Sequence, residues 1–164
     1  MVEKQQGRAA YNAVDSEYAI AEMNSMGISA FSIGHLVDTF YARVLTHSEL
    51  GPVFDAKIAG RWPDHMEKMK SFWSAVALRN GGYGGKPIQA HLGVANMTPE
   101  LFSQWLALFA ATVDDVFPTE EARTWFKTAA ARIARSLTLT LFYNPALDDP
   151  RLKRIDTPHS DSLA

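Results

Sequence analysis

Four stretches of the chain repeat apolar residues at three- and four-residue spacing, and no segment alternates with the two-residue period of a strand. That pattern predicts an all-α protein. Ile33, Leu36, Val37, Phe40, Tyr41, Val44 and Leu45 mark the first stripe, with Ser32 as its expected N-cap and Gly51-Pro52 as its break. Trp62, His65, Met66, Met69, Phe72, Trp73 and Val76 mark the second. Pro63 and Asp64 suit its first turn, and Gly81 or Gly82 its C-cap. Phe102, Trp105, Leu106, Phe109 and Val113 mark the third, opening at Thr98 and stopping near Pro118. Ala122, Trp125, Phe126, Ala130, Ile133, Leu137 and Leu141 mark the fourth, capped by Thr119 and ended by Asn144-Pro145.

The flanks are polar. Residues 1–31 read as an N-terminal extension, partly helical from Asp15 or disordered, and 144–164 as a polar tail. Residues 32–143 form the expected domain, and 164 residues suffice for one core. The net charge of -2, without a basic stripe, gives no reason to expect nucleic acid. No apolar run reaches the roughly 18 residues that span a bilayer, and "MVEKQQGRAA" lacks the apolar core of a secretory signal. Without cysteine there are neither disulfides nor thiolate metal sites. Cytoplasm is the default expectation.

A filled helical bundle is the plain reading of four such stripes. Against it stand the Gly/Pro breaks, the crowd of wide aromatics, and three polar-tipped side chains within the stripes: Tyr41, His65 and Trp105. A buried polar tip without a partner costs about 1–3 kcal/mol. Three on three separate helices suggest a shared pocket.

"GGYGGKPIQAHL" raises the question of His91. The glycines do not make a phosphate loop, because Pro87 follows Lys86 where Ser or Thr is needed and a helix precedes. His159 lies in the tail, His47 at a polar helix end and His35 at the rim, all expected to be solvated. No HExxH, EF-hand loop or paired Glu-x-x-His is present, and no nucleophile elbow. On residue patterns alone His91 is a satisfied core histidine or the ligand of a metal. A metal needing a single protein ligand, as in haem, would suit the second reading.

"FYARVLTHSELGPVF", "WPDHMEKMKSFW", "YGGKPIQAHL" and "FSQWLALF" resemble, in order and spacing, the truncated haemoglobins, above all their third group. The likeness runs from about Ser32 to Leu141. It implies a shortened globin, a two-over-two helical sandwich around haem b (iron protoporphyrin IX). Carried over, His91 is the proximal iron ligand. Tyr41, His65, Met69 and Trp105 line the distal pocket where a diatomic gas binds. Phe40, Phe54, Trp62, Lys68, Phe72, Trp73 and Leu92 surround the cofactor, Lys68 as a partner of a haem propionate.

What the resemblance implies for function is binding of dioxygen, nitric oxide and carbon monoxide. Donors such as the Tyr41 O–H and Trp105 N–H would hold dioxygen tightly, which suits redox chemistry of oxygen, nitric oxide or peroxide better than delivery. His65 would gate the pocket or add a third polar group. Nitric oxide dioxygenase or peroxidase-like turnover would need a separate reductase, because no flavin or nicotinamide motif is present. A monomer or weak homodimer is expected. The competing reading is a cofactor-free helical interaction module whose aromatics are a plain core or a partner groove. A haem-based sensor is a third, disfavoured because the chain carries no output domain.

Overall fold

In a computed structural model, residues 15–79, 85, 90–91, 94 and 96–143 are described. All regular structure among them is helical. The helices are α1 (15–25), α2 (Ala30–Thr46), α3 (Leu50–Ile58), α4 (Trp62–Leu78), α5 (Pro99–Val116) and α6 (Glu120–Phe142). α2 packs against α3, α4 and α5, and α5 against α6. The α2–α4 pair thus lies over the α5–α6 pair. No described helix is long and apolar enough to cross a membrane.

The caps are set by hydroxyl side chains. Thr98 Oγ1 accepts the Leu101 N–H at 3.3 Å, and Thr119 Oγ1 accepts that of Ala122 at 3.3 Å, both as the sequence predicts. Thr119 Oγ1 also donates to the Met26 carbonyl at 2.7 Å, tying the α1–α2 connection to α6. α2 departs from expectation. Its N-cap is Ser29, and Ser32 is the third helical residue of a reciprocal capping box, donating and accepting across the same turn. Either serine satisfies the spacing rule; the pair works only with Ser29 outside.

Gly51-Pro52 also reads differently in three dimensions. α2 ends at Thr46, and the dipeptide lies in the first turn of α3, where proline's missing N–H costs nothing. A Cβ on Gly51 would stand 2.9 Å from the Leu45 carbonyl oxygen and 3.1 Å from that of Val44. Glycine is what lets α3 turn this tightly against α2. His47 is not simply solvated: half-buried, its Nδ1 accepts the N–H groups of Glu49 at 3.3 Å and Leu50 at 3.1 Å. α4 closes at Arg79, a left-handed residue (φ 52°), earlier than the expected Gly81 or Gly82, which lie outside the described residues. Leu45, expected on the apolar stripe, is 49% exposed.

The core is aromatic. Phe109 is sandwiched between Trp105 (5.2 Å, 8° between planes) and Trp73 (4.9 Å, 15°). Trp73 meets Phe126 edge-on at 5.6 Å, and Phe126 stacks on Phe117 at 4.7 Å. Phe40 meets Trp105 and Phe109 edge-on. These offset and edge-to-face geometries are the favoured ones for ring pairs. The segment before α2 joins this core: Ile28 is fully buried, and Ile20, Met23 and Met26 pack on it. The buried Thr112 hydroxyl donates to the Leu108 carbonyl at 2.8 Å and accepts from Arg43 at 3.2 Å. Arg43 also pairs with Asp115 at 2.7 Å, closing α2 onto α5.

Candidate functional site

Tyr41 is where three helices meet. It sits on the inner face of α2, 5% exposed, and its ring touches Phe54 of α3 (5.9 Å) and Trp62 and His65 of α4 (6.2 and 5.0 Å). His65 follows Trp62 by three residues, so both project from one side of α4. Its ring stands nearly perpendicular to those of Tyr41 and Trp62, at 88° to each, with Phe54 at 6.5 Å. The result is a cup of aromatic rings around an imidazole. His65 Nε2 is buried and has no hydrogen-bond partner among the described residues.

The electrostatics follow from that enclosure. Burial pushes the Tyr41 hydroxyl up, so it remains a proton donor throughout the neutral range. His65 is lowered to about 4, first by burial and then by the charges of Lys68 and His91. It is therefore an uncharged imidazole at neutral pH. His65 lies on α4 and His91 in the 90–91 helical turn. His91 is half-buried, its ring 5.9 Å from Phe102 at 37°.

The other residues singled out in the sequence divide into two groups. Phe54, Trp62, Met69, Phe72 and Trp105 are half-buried and pack on the core from outside. Phe40 (2% exposed) and Trp73 (3%) are enclosed by protein and form the wall behind them. Trp105 reaches the cup through Phe40: its ring contacts among the described residues are Phe40 and Phe109, not Tyr41 or His65. Lys68 is exposed. Leu92 lies outside the described residues, as do Gly81–Gly84 and Lys86–Gln89 of the glycine loop. Phe72 also lines a cavity of about 880 Å³ between α4 and α6, with Val76, Trp125, Ala129 and Ile133.

Two residues escaped the sequence reading of the site. Phe102, the ring beside His91, was visible only as a core position one turn before Trp105. Gln104 has a buried carbonyl oxygen without a partner among the described residues, while its amide donates to Glu49. Nothing in its spacing marks it. No group of three or more metal-ligating side chains gathers among the described residues.

Comparison with known proteins accords with this arrangement. No family model matches the chain. The chain is similar to Group 3 truncated hemoglobin ctb of Campylobacter jejuni, 33% identical over 96 residues, covering 57% of this chain and 76% of that protein. Among solved structures, that of group III truncated hemoglobin from Campylobacter jejuni aligns with a TM-score of 0.67 and 31% identity. The alignment covers 71% of this chain and 94% of that one. At this identity and coverage the chain belongs to the truncated haemoglobins, in their third group.

Proposed function

We propose that the protein binds haem b and, through it, dioxygen and other diatomic gases such as nitric oxide and carbon monoxide. The observation that carries the reading is the buried Nε2 of His65, without a hydrogen-bond partner among the described residues, in a cup shared with Tyr41. Leaving such a nitrogen unpaired costs about 1–3 kcal/mol. A ligand offering a hydrogen bond there recovers that cost.

The residues fit the group. Phe54, Trp62, Met66, Met69, Phe72, Trp105 and Leu106 all lie against the core without being fully buried, presenting the apolar surface that a porphyrin covers. His65 stands on α4 and His91 in the 90–91 helical turn, two imidazoles available to such a cofactor. Haem would supply an iron able to bind one protein nitrogen and a diatomic gas.

The chain's own groups would then divide the work. His91 would be the residue that holds the iron, with the Phe102 ring beside it at 5.9 Å limiting how the imidazole can turn. Tyr41 offers its O–H to the gas, with the Trp105 N–H as a second donor. His65, uncharged at neutral pH, offers Nε2 as donor or acceptor according to its tautomer. Phe54, Met69 and Phe72 exclude water, which strengthens each of these bonds. Lys68, exposed beside His65, meets a propionate. Phe40 and Trp73 hold this wall from behind. Tight retention of dioxygen favours redox chemistry of oxygen, nitric oxide or peroxide, with electrons delivered by a separate reductase.

The visible spectrum tests the reading. The purified protein, supplied with haem, reduced and exposed to carbon monoxide, is expected to show an intense Soret band. His91→Ala is expected to lose most of it. Equal uptake by wild type and variant would remove His91 as the haem ligand, and no uptake by either would favour a cofactor-free helical module.

A further inference from the structure

We infer that Trp62, held in place by Asp55, governs access to the His65–Tyr41 pocket and sets the size of ligand that reaches it. Three rings enclose His65: Tyr41 at 5.0 Å, Trp62 at 5.9 Å and Phe54 at 6.5 Å. Tyr41 is fixed in the core. Trp62 is the ring among the three whose polar atom bonds at the surface, its Nε1 donating to Asp55 Oδ1 at 3.3 Å. Asp55 is an exposed residue of α3. The indole therefore spans the α3–α4 corner, bonded to Asp55 through Nε1 and meeting the His65 ring edge-on at 5.9 Å.

The surroundings let this ring move while the helices stay. Trp62 is the first residue of α4, ahead of the regular hydrogen-bond ladder, so its side chain can rotate without unwinding a turn. The corner beneath it is closed independently. Gly60 takes a left-handed conformation (φ 75°), the Arg61 N–H donates to the Ile58 carbonyl at 2.7 Å, and the Arg61 guanidinium donates to the Lys57 carbonyl at 2.6 Å. One exposed indole–carboxylate bond is strong enough to bias the ring shut and weak enough to open thermally. Asp55 is thus a positioning residue, acting through Trp62.

The kinetic part of the test rests on the haem reading; a chemical part does not. With reduced, haem-loaded protein, flash photolysis gives association rates for carbon monoxide and for the bulkier n-butyl isocyanide. Trp62→Ala is expected to speed isocyanide binding about tenfold, equivalent to about 1.4 kcal/mol, and carbon monoxide less. Asp55→Ala is expected to give an intermediate change. Trp62→Phe, which keeps a ring but loses the bond to Asp55, is expected to behave like Asp55→Ala. A purely structural role would not alter the ratio of the two rates.

With haem-free protein, diethyl pyrocarbonate acylation of His65 is followed by mass spectrometry, with the exposed His35 as internal reference. Acylation is expected to be slow in wild type and faster in both alanine variants. If Trp62→Ala fails to fold, Asp55→Ala carries both measurements, since Asp55 lies at the surface. An unchanged rate ratio overturns the inference. If wild type takes up no haem, the haem reading falls and acylation alone decides: equal His65 reactivity in wild type and variant overturns the cover.

Discussion

Tyr41 and His65 share a wall, yet each is tuned by burial in its own way. Burial keeps the Tyr41 proton on, so its O–H is available to a ligand at any neutral pH. Replacing it by phenylalanine removes that donor and little volume. Tyr41→Phe is expected to raise the dioxygen release rate about tenfold, about 1.4 kcal/mol, as read by stopped-flow displacement with carbon monoxide. An unchanged rate would mean that the hydroxyl points away from the ligand. For His65 the fold favours the uncharged ring. The unfolded chain gains a proton below about pH 6.5, while the folded one refuses it until about 4. The stability this imidazole lends is therefore complete above the unfolded value, declines as pH falls between the two, and is gone below the lower one. Urea midpoints of haem-free wild type and His65→Gln should diverge across that interval, wild type losing more as acid is added. Parallel curves would remove the basis for an uncharged His65. The sequence already marked both residues, because polar tips on apolar stripes are conspicuous. It could not show that Trp105 stops short of their ring cluster, since periodicity assigns a face and not a distance.

At the scale of an element, α3 shows how much rests on one missing side chain. Its first turn abuts the carbonyl oxygens that end α2, and both are backbone atoms that cannot swing aside. Gly51→Ala forces α3 outward and displaces Phe54 from Tyr41. A loss of about 1–3 kcal/mol is expected from urea denaturation, as for other overpacked sites, together with faster ligand release. Retention of full stability would show that the corner yields more easily than its geometry implies. Thr98 and Thr119 were legible as caps because a hydroxyl precedes an apolar stripe at the right offset. Ser29 was not, because two serines three apart satisfy the same rule and only the capping box distinguishes them. Gly51-Pro52 was legible as an interruption, but the same dipeptide ends one helix or begins another. Helical class and stripe membership therefore followed from local pattern, whereas the corner that seats Phe54 needed the approach of α2.

Across the whole molecule, the Trp105–Phe109–Trp73 stack runs from the pocket wall into the core and meets Phe126 and Phe117 at the far end. Each ring was visible as an apolar position on its own helix. Their order was not, since stacking joins α4, α5 and α6 through contacts that no single stretch encodes. Phe109→Ala opens a cavity at the centre of the stack and is expected to cost about 3–5 kcal/mol. It should also weaken the near-ultraviolet circular dichroism of the indoles. A small loss with an unaltered tryptophan signal would mean that the rings are packed independently. Because these same rings both hold the helices together and back the binding cup, enlarging the cup from behind would undo the protein. Diversification of ligand preference in such a chain is thus confined to its outer edge, at Phe54, Trp62 and Met69, where a change of shape leaves the foundations untouched.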